Sequence, residues 1–245
     1  MLSYVDRIQL VVDDRVAAVA TWRALFGAEQ VGDDRSDPLA ARRTTVRAGA
    51  TLFEFLEPDG QGPAATFAAR WGQGLCGVGF STPDLGALAR HLDAAGIDYR
   101  EDDGRIVPEE TATQGMPTTL AADRDRTPVG HIRFAYEVTN VVADWQATAA
   151  KYAHLFNLDT DRFCRIKSEQ YGYEGTLTLF DPPDRLDRVE ITQPYGDGAM
   201  SRFFHRRGPS LYMCYIETDD VEALAARLVA HHARFAYSEE RDHSV

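Results

Sequence analysis

Glu54 and Glu190 have side chains that could do chemistry, and they stand at equivalent points of an internal repeat. Residues 7–28 align without a gap with residues 137–158, and residues 53–95 with residues 189–231. The alignment also sets Arg7 against Glu137, and pairs Val12/Val142, Asp14/Asp144, Pro58/Pro194, Gly62/Gly198, Asp84/Asp220 and Leu88/Leu224. Two matched blocks in the same order point to a duplication, with chemistry expected at matched places in each copy. A buried carboxylate can move a proton near neutral pH or hold a hard cation, and a guanidinium can hold a small anion.

Other reactive residues offer less. His91 and His154 fall at polar positions of helical segments, and His231 and His232 end one, where a cation suits the helix dipole. His131 alone falls on a strand-like stretch, which makes it a weak candidate metal ligand. Cys76, Cys164 and Cys214 are scattered and lack the paired spacing of zinc sites. No serine-hydrolase elbow, zincin helix or phosphate-binding loop occurs. Gly72–Gly77 satisfies G-x-G-x-x-G, but a helical pattern precedes it and a strand follows, so no nucleotide cofactor is expected.

The elements that must position these residues recur. Arg7–Val12 is β-rich and alternating; Asp13 and Asp14 can cap a helix carrying Val16, Val19, Trp22 and Phe26, which Gly27 ends. Strand patterns follow at Thr44–Arg47 and Thr51–Leu56. A second unit opens at Gly77–Ser81, has a helix from Asp84 to Gly96, and offers strands at Ile97–Arg100, Arg105–Val107 and Thr118–Ala121. The pattern of strand, capped helix and two or three strands is used four times, the last incompletely. Residues 1–125 and 130–245 are thus read as two domains joined by a charged, Pro-containing linker.

Bulk properties exclude some roles. With a net charge of −12 and no basic stripe, the chain is not expected to bind nucleic acid. It has no membrane-length apolar run and no signal-peptide pattern, so a cytoplasmic setting away from the membrane is expected.

The repeated units resemble those of the vicinal oxygen chelate (glyoxalase/bleomycin-resistance/extradiol dioxygenase) superfamily. "RIQLVVDD…TWRALFGAE" looks like its opening strand and helix, "LFEFLEPDG" like its metal strand, and "GQGLCGVGFSTPDL" like the strand opening a second unit. The resemblance implies an α+β fold of tandem βαβββ units paired into two cup-shaped mixed-sheet domains. Metal-dependent members hold a divalent ion in the cup through His or Gln and Glu. Carried over, those positions are Arg7, Glu54, Gly77 and Thr119 in the first cup, and Glu137, Glu190 and Met213 in the second. The glutamates match and the histidines do not.

On this reading Arg7 pairs with Glu54 in place of a metal, with Gln9 beside them. In the second cup Glu137 and Glu190 face each other, among Thr139, Tyr173, Met213 and Tyr215. That pair either shares a proton or binds one divalent metal ion with help from His131. The implied partner is a small organic molecule, and a homodimer is one assembly open to the chain. The expected activity is a lyase, isomerase or epimerase acting on an oxygenated substrate, with Glu190 and Glu137 as acid/base and Arg7 or a metal holding the substrate. A dioxygenase is disfavoured by the missing histidines. The alternative is a metal-free, drug-sequestering binding protein.

Overall fold

The computed structural model describes residues 2–180 and 185–236. The end of the second domain as read from the sequence, residues 237–245, lies outside them. The first βαβββ unit is β1 (Val5–Val11), α1 (Arg15–Phe26), β2 (Glu29–Ser36), β3 (Ala41–Ala48) and β4 (Thr51–Pro58). Helix α2 (Pro63–Trp71) leads to the second unit: β5 (Gly74–Thr82), α3 (Leu85–Ala95), β6 (Tyr99–Asp102), β7 (Arg105–Pro108) and β8 (Thr118–Ala122). These form one eight-stranded sheet, ordered β2-β3-β4-β1-β5-β8-β7-β6.

The second half repeats the scheme with β9 (Phe134–Val141), α4 (Trp145–Phe156), β10 (Phe163–Ser168), β11 (Tyr173–Leu179) and β12 (Arg188–Pro194). Then come α5 (Ala199–Arg207), β13 (Ser210–Glu217) and α6 (Val221–Ala230). Among the described residues its sheet has five strands, ordered β10-β11-β12-β9-β13. Both sheets curl, with helices on the outer face. No described helix is long and apolar enough to cross a membrane.

Local chemistry explains the recurrence. Asp14, Asp84, Asp144 and Asp220 each cap a helix by accepting the backbone N–H three residues on, which satisfies an otherwise orphaned donor. Gly27 and Gly96 end α1 and α3 in the left-handed conformation. Alternation within each strand sends Ile8, Phe53 and Phe55 outward, where Trp22 of α1 stacks against both phenylalanine rings. The intervening positions Arg7, Gln9, Glu54 and Leu56 face inward.

Strand β2 has no counterpart among the strands read from the sequence. Its residues (EQVGDDRS) are mostly polar and exposed, as suits an edge strand held to β3 by backbone pairing. His131 also lies elsewhere than expected. It occupies a turn before β9, with its amide bonded to the Phe26 carbonyl and its ring against Gly27. The strand begins only at Phe134, three residues after His131.

One hydrophobic core runs through both halves. Phe80 of β5 meets Phe156 and Phe180 edge-on, at 5.8 and 5.3 Å between ring centroids. The buried Tyr152 hydroxyl donates to the Thr113 carbonyl (2.5 Å) and accepts from Asn140 Nδ2 (2.6 Å). Asp187 accepts the Val5 amide across the junction at 2.7 Å and also pairs with Arg185, whose guanidinium lies on the rings of Tyr4 and Phe134.

Burial pushes the Asp187 carboxyl up to about 6, against the lowering pull of Arg185 and the Val5 amide. The folded protein therefore binds this proton more readily than the unfolded chain. The group's contribution is full in acid and is lost as pH rises from about 4 to about 6. Asp187→Ala, which orphans the Val5 amide and Arg185, should cost about 1–3 kcal/mol in denaturant titration. Asp187→Asn should cost less and remove the fall in stability between about pH 4 and 6.

Candidate functional site

In both halves the opening strand runs parallel to the last strand of its unit, and the registers correspond. Arg7 lies opposite Leu52 and Gln9 opposite Glu54; Glu137 lies opposite Arg188 and Thr139 opposite Glu190. Inward side chains two residues apart on neighbouring strands can then meet diagonally.

In the first cup the diagonal contact is a buried ion pair. Arg7 Nη1 donates to Glu54 Oε1 at 2.7 Å, and Gln9 Nε2 donates to Oε2 at 2.8 Å. Arg105 and Arg43 also approach Oε1, at 3.4 and 3.8 Å, and Arg43 forms a two-pronged pair with Asp34. On its other side Arg7 is held by Asp6, which Arg126 also contacts at 2.6 Å. Burial works against charge on both Arg7 and Glu54, but their partners prevail: the guanidinium is held above, and the carboxyl below, its ordinary value.

The neighbouring strand makes room for this arrangement. A Cβ on Gly77 would lie 2.2 Å from Gln9 Oε1, and one on Gly79 would lie 2.2 Å from Arg7 Cγ. The two glycines of β5 let the Arg7 and Gln9 side chains lie across it. Thr119 Oγ1, on β8 opposite Gly79, is buried without a hydrogen-bond partner among the described residues.

The second cup has a different charge pattern at the same places. Glu137 and Glu190 are both buried, and they interact directly. Thr139 Oγ1 donates to Glu190 Oε2 at 2.6 Å, and Arg188 Nε donates to Glu137 Oε2. Burial, then the proximity of Glu190, pushes Glu137 up to about 8 despite Arg188. Tyr215 faces Glu137 across the β9–β13 pairing and Met213 faces Thr139; both side chains are partly exposed. Burial and the two carboxylates push the Tyr215 phenol up, with Tyr173 and Tyr136 also within electrostatic reach. Thr192 Oγ1 is buried without a hydrogen-bond partner among the described residues.

The structure thus groups Arg7, Gln9 and Glu54 on one sheet, and Glu137, Glu190, Thr139, Tyr173, Met213 and Tyr215 on the other. His131 is not on the strand that carries Glu137. The cation beside the second carboxylate pair is Arg188, not Arg7, which is tied to Glu54 and Asp6. Arg188, Arg43 and Arg105 went unread in the sequence. Arg188 had one signal, its place two residues before Glu190 on the same strand face.

No family model matches the chain, and neither does any curated protein. Among solved structures, it superposes on a triple mutant of 4-hydroxymandelate synthase from Streptomyces coelicolor with a TM-score of 0.74 and 15% identity. That match covers 97% of this chain and 77% of the other. The chain has the vicinal oxygen chelate fold. Methylmalonyl-CoA epimerases from Streptomyces coelicolor and Mycobacterium tuberculosis match 51% and 50% of it, at 21% and 19% identity and TM-scores of 0.44. Those matches cover 100% and 91% of the epimerase chains.

The donor sets decide whether either cup fits the divalent ion of metal-dependent vicinal oxygen chelate proteins. In the first, Arg7 brings a permanent charge and only hydrogen-bond donors to Glu54, so it cannot ligate. In the second, Glu137 is engaged by Arg188 and Glu190 by Thr139, with no histidine on either opening strand. Among the described residues no three His, Cys, Asp or Glu side chains converge. The residues present do not fit a family-type metal site.

Arg7→Ala should destabilise the protein by about 3–5 kcal/mol, reduced to the extent that Arg43 and Arg105 close on Glu54. The double variant Arg7→Met/Glu54→Leu should recover much of that loss, as read by denaturant unfolding. A double variant no more stable than Arg7→Ala would show that the ion pair does not set the cost.

Proposed function

We propose that the chain is an enzyme acting on a small oxygenated organic molecule, with Glu137 and Glu190 as its proton-transfer pair. The reading rests on one observation: two buried carboxylates meet on the inner face of the second sheet, beside side chains that remain partly exposed. Like charges this close favour a state with one proton between them, supplying an acid and a base at neutral pH.

The chemistry suited to such a pair is proton removal from a carbon next to a carbonyl. Glu190, oriented by the Thr139 hydroxyl, takes the proton; the C–H electron pair moves into the carbonyl and leaves an enolate. Glu137 returns a proton, giving an epimer or isomer, or the enolate expels a neighbouring leaving group in a lyase reaction. Arg188 is the adjacent cation that would balance the anion formed. The resemblance of the fold to an epimerase and a synthase supports a small-molecule enzyme and leaves the substrate open.

Exchange of substrate α-hydrogen with deuterated water, followed by NMR over a panel of 2-oxo acids and acyl thioesters, tests the reading. Glu190→Gln should lower exchange by about 100-fold or more while leaving the melting temperature within a few degrees. Because Glu137 holds its proton up to about 8, turnover should fall as pH rises through that value, and Glu137→Gln should abolish that limb. Exchange unaffected by both substitutions would remove the pair from the mechanism.

A further inference from the structure

We propose that the first cup is a separate binding site for an organic anion with a flat apolar body. It does not rest on the carboxylate chemistry of the second sheet. The ion cluster of Arg7, Glu54, Arg43 and Arg105 fills only part of the cup. Beyond Gln9 the interior opens into a cavity of about 1080 Å³, just above the roughly 300–1,000 Å³ usual for small-molecule sites.

Its walls suit an apolar body. Val11 and Leu56 line the sheet side, while Phe67 and Trp71 of α2 face them with aromatic surface. Cys76 is also in the wall, but burial pushes its thiol up to about 12, so it is an uncharged packing surface and not a nucleophile. The floor is the Gln9 side chain, fixed by its bond to Glu54. A planar molecule can lie between helix and sheet with its edge against that amide.

Charge selects the anion. Arg100 and Arg70 line the mouth, and the nearest carboxylate to Arg100 is Asp102, at 3.9 Å. Arg105, two residues before the cavity-lining Val107 on β7, approaches Glu54 at 3.4 Å and Asp103 at 3.6 Å. Burial and the neighbouring Arg7 and Arg43 strain its charge, which an incoming anion would relieve. Glu109 and Glu110 share the mouth, so the attractive side is that of Arg100 and Arg105. An anionic head there leaves the apolar body against Phe67 and Trp71.

The probe is 8-anilinonaphthalene-1-sulfonate, titrated into the full chain by fluorescence, against the uncharged N-phenyl-1-naphthylamine of the same body. One sulfonate should bind per chain, about tenfold tighter than the neutral compound. Arg100→Glu, at an exposed position, should weaken the sulfonate by about tenfold and leave the neutral probe unchanged. Val107→Trp should block both by filling the cavity, and Glu190→Gln should affect neither. Equal affinity for the two probes, or sulfonate binding indifferent to both Arg100→Glu and Val107→Trp, would overturn the proposal. Proton exchange at the second sheet reads the other reading independently, so either can fail alone.

Discussion

The parallel pairing of the opening strand with the closing strand of its unit is the constraint on which both sites depend. It fixes the residue at position 7 or 137 one diagonal step from the glutamate at 54 or 190. Because the side chains point into a curled sheet, whatever occupies those places meets its neighbour away from water. Two charges so confined must neutralise each other or share a proton, since an uncompensated charge in that setting is too costly. The strand order and helix caps serve to hold this register.

The two halves then carry opposite charge at one geometric point. Arginine at position 7 makes a stable ion pair with Glu54, whose carboxylate is held ionised and is unsuited to giving up a proton. Glutamate at position 137 meets Glu190, and the Glu137 carboxyl is pushed above its ordinary range instead. The residue opposite completes the difference: Leu52 faces Arg7, whereas Arg188 faces Glu137. Arg188 limits the repulsion without abolishing it, which keeps a protonated carboxyl accessible near neutral pH.

Much of the fold was legible because its signals are local. Asp14, Asp84, Asp144 and Asp220 announce their helices a few residues ahead, and the apolar alternation of β1 and β4 sets which residues look inward. The Arg7–Glu54 pair was readable for the same reason, once the repeat and the family resemblance aligned the strands. Strand β2 was not, because an exposed edge needs only backbone partners and carries no apolar pattern. Arg43 and Arg105 were hidden for a different reason: they reach Glu54 from strands β3 and β7, whose placement depends on the closure of the whole sheet. His131 was misread because the β-rich composition of residues 131–142 does not mark that the strand begins only at Phe134.

The glycines of β5 carry a consequence for substitution in the first cup. With Gln9 and Arg7 lying across Gly77 and Gly79, a histidine placed at Gly77 would collide with the Gln9 amide, and any side chain at Gly79 would collide with Arg7. A side chain at Gly77 requires the Gln9 amide to swing away from Glu54, and one at Gly79 requires Arg7 to leave its buried ion pair. At Gly79 a smaller residue in place of Arg7 would not suffice, because an added Cβ would also lie 2.7 Å from Thr119 Oγ1. Substitution on β5 is therefore tied to the side chains lying across it, and the contents of the first cup change together or not at all.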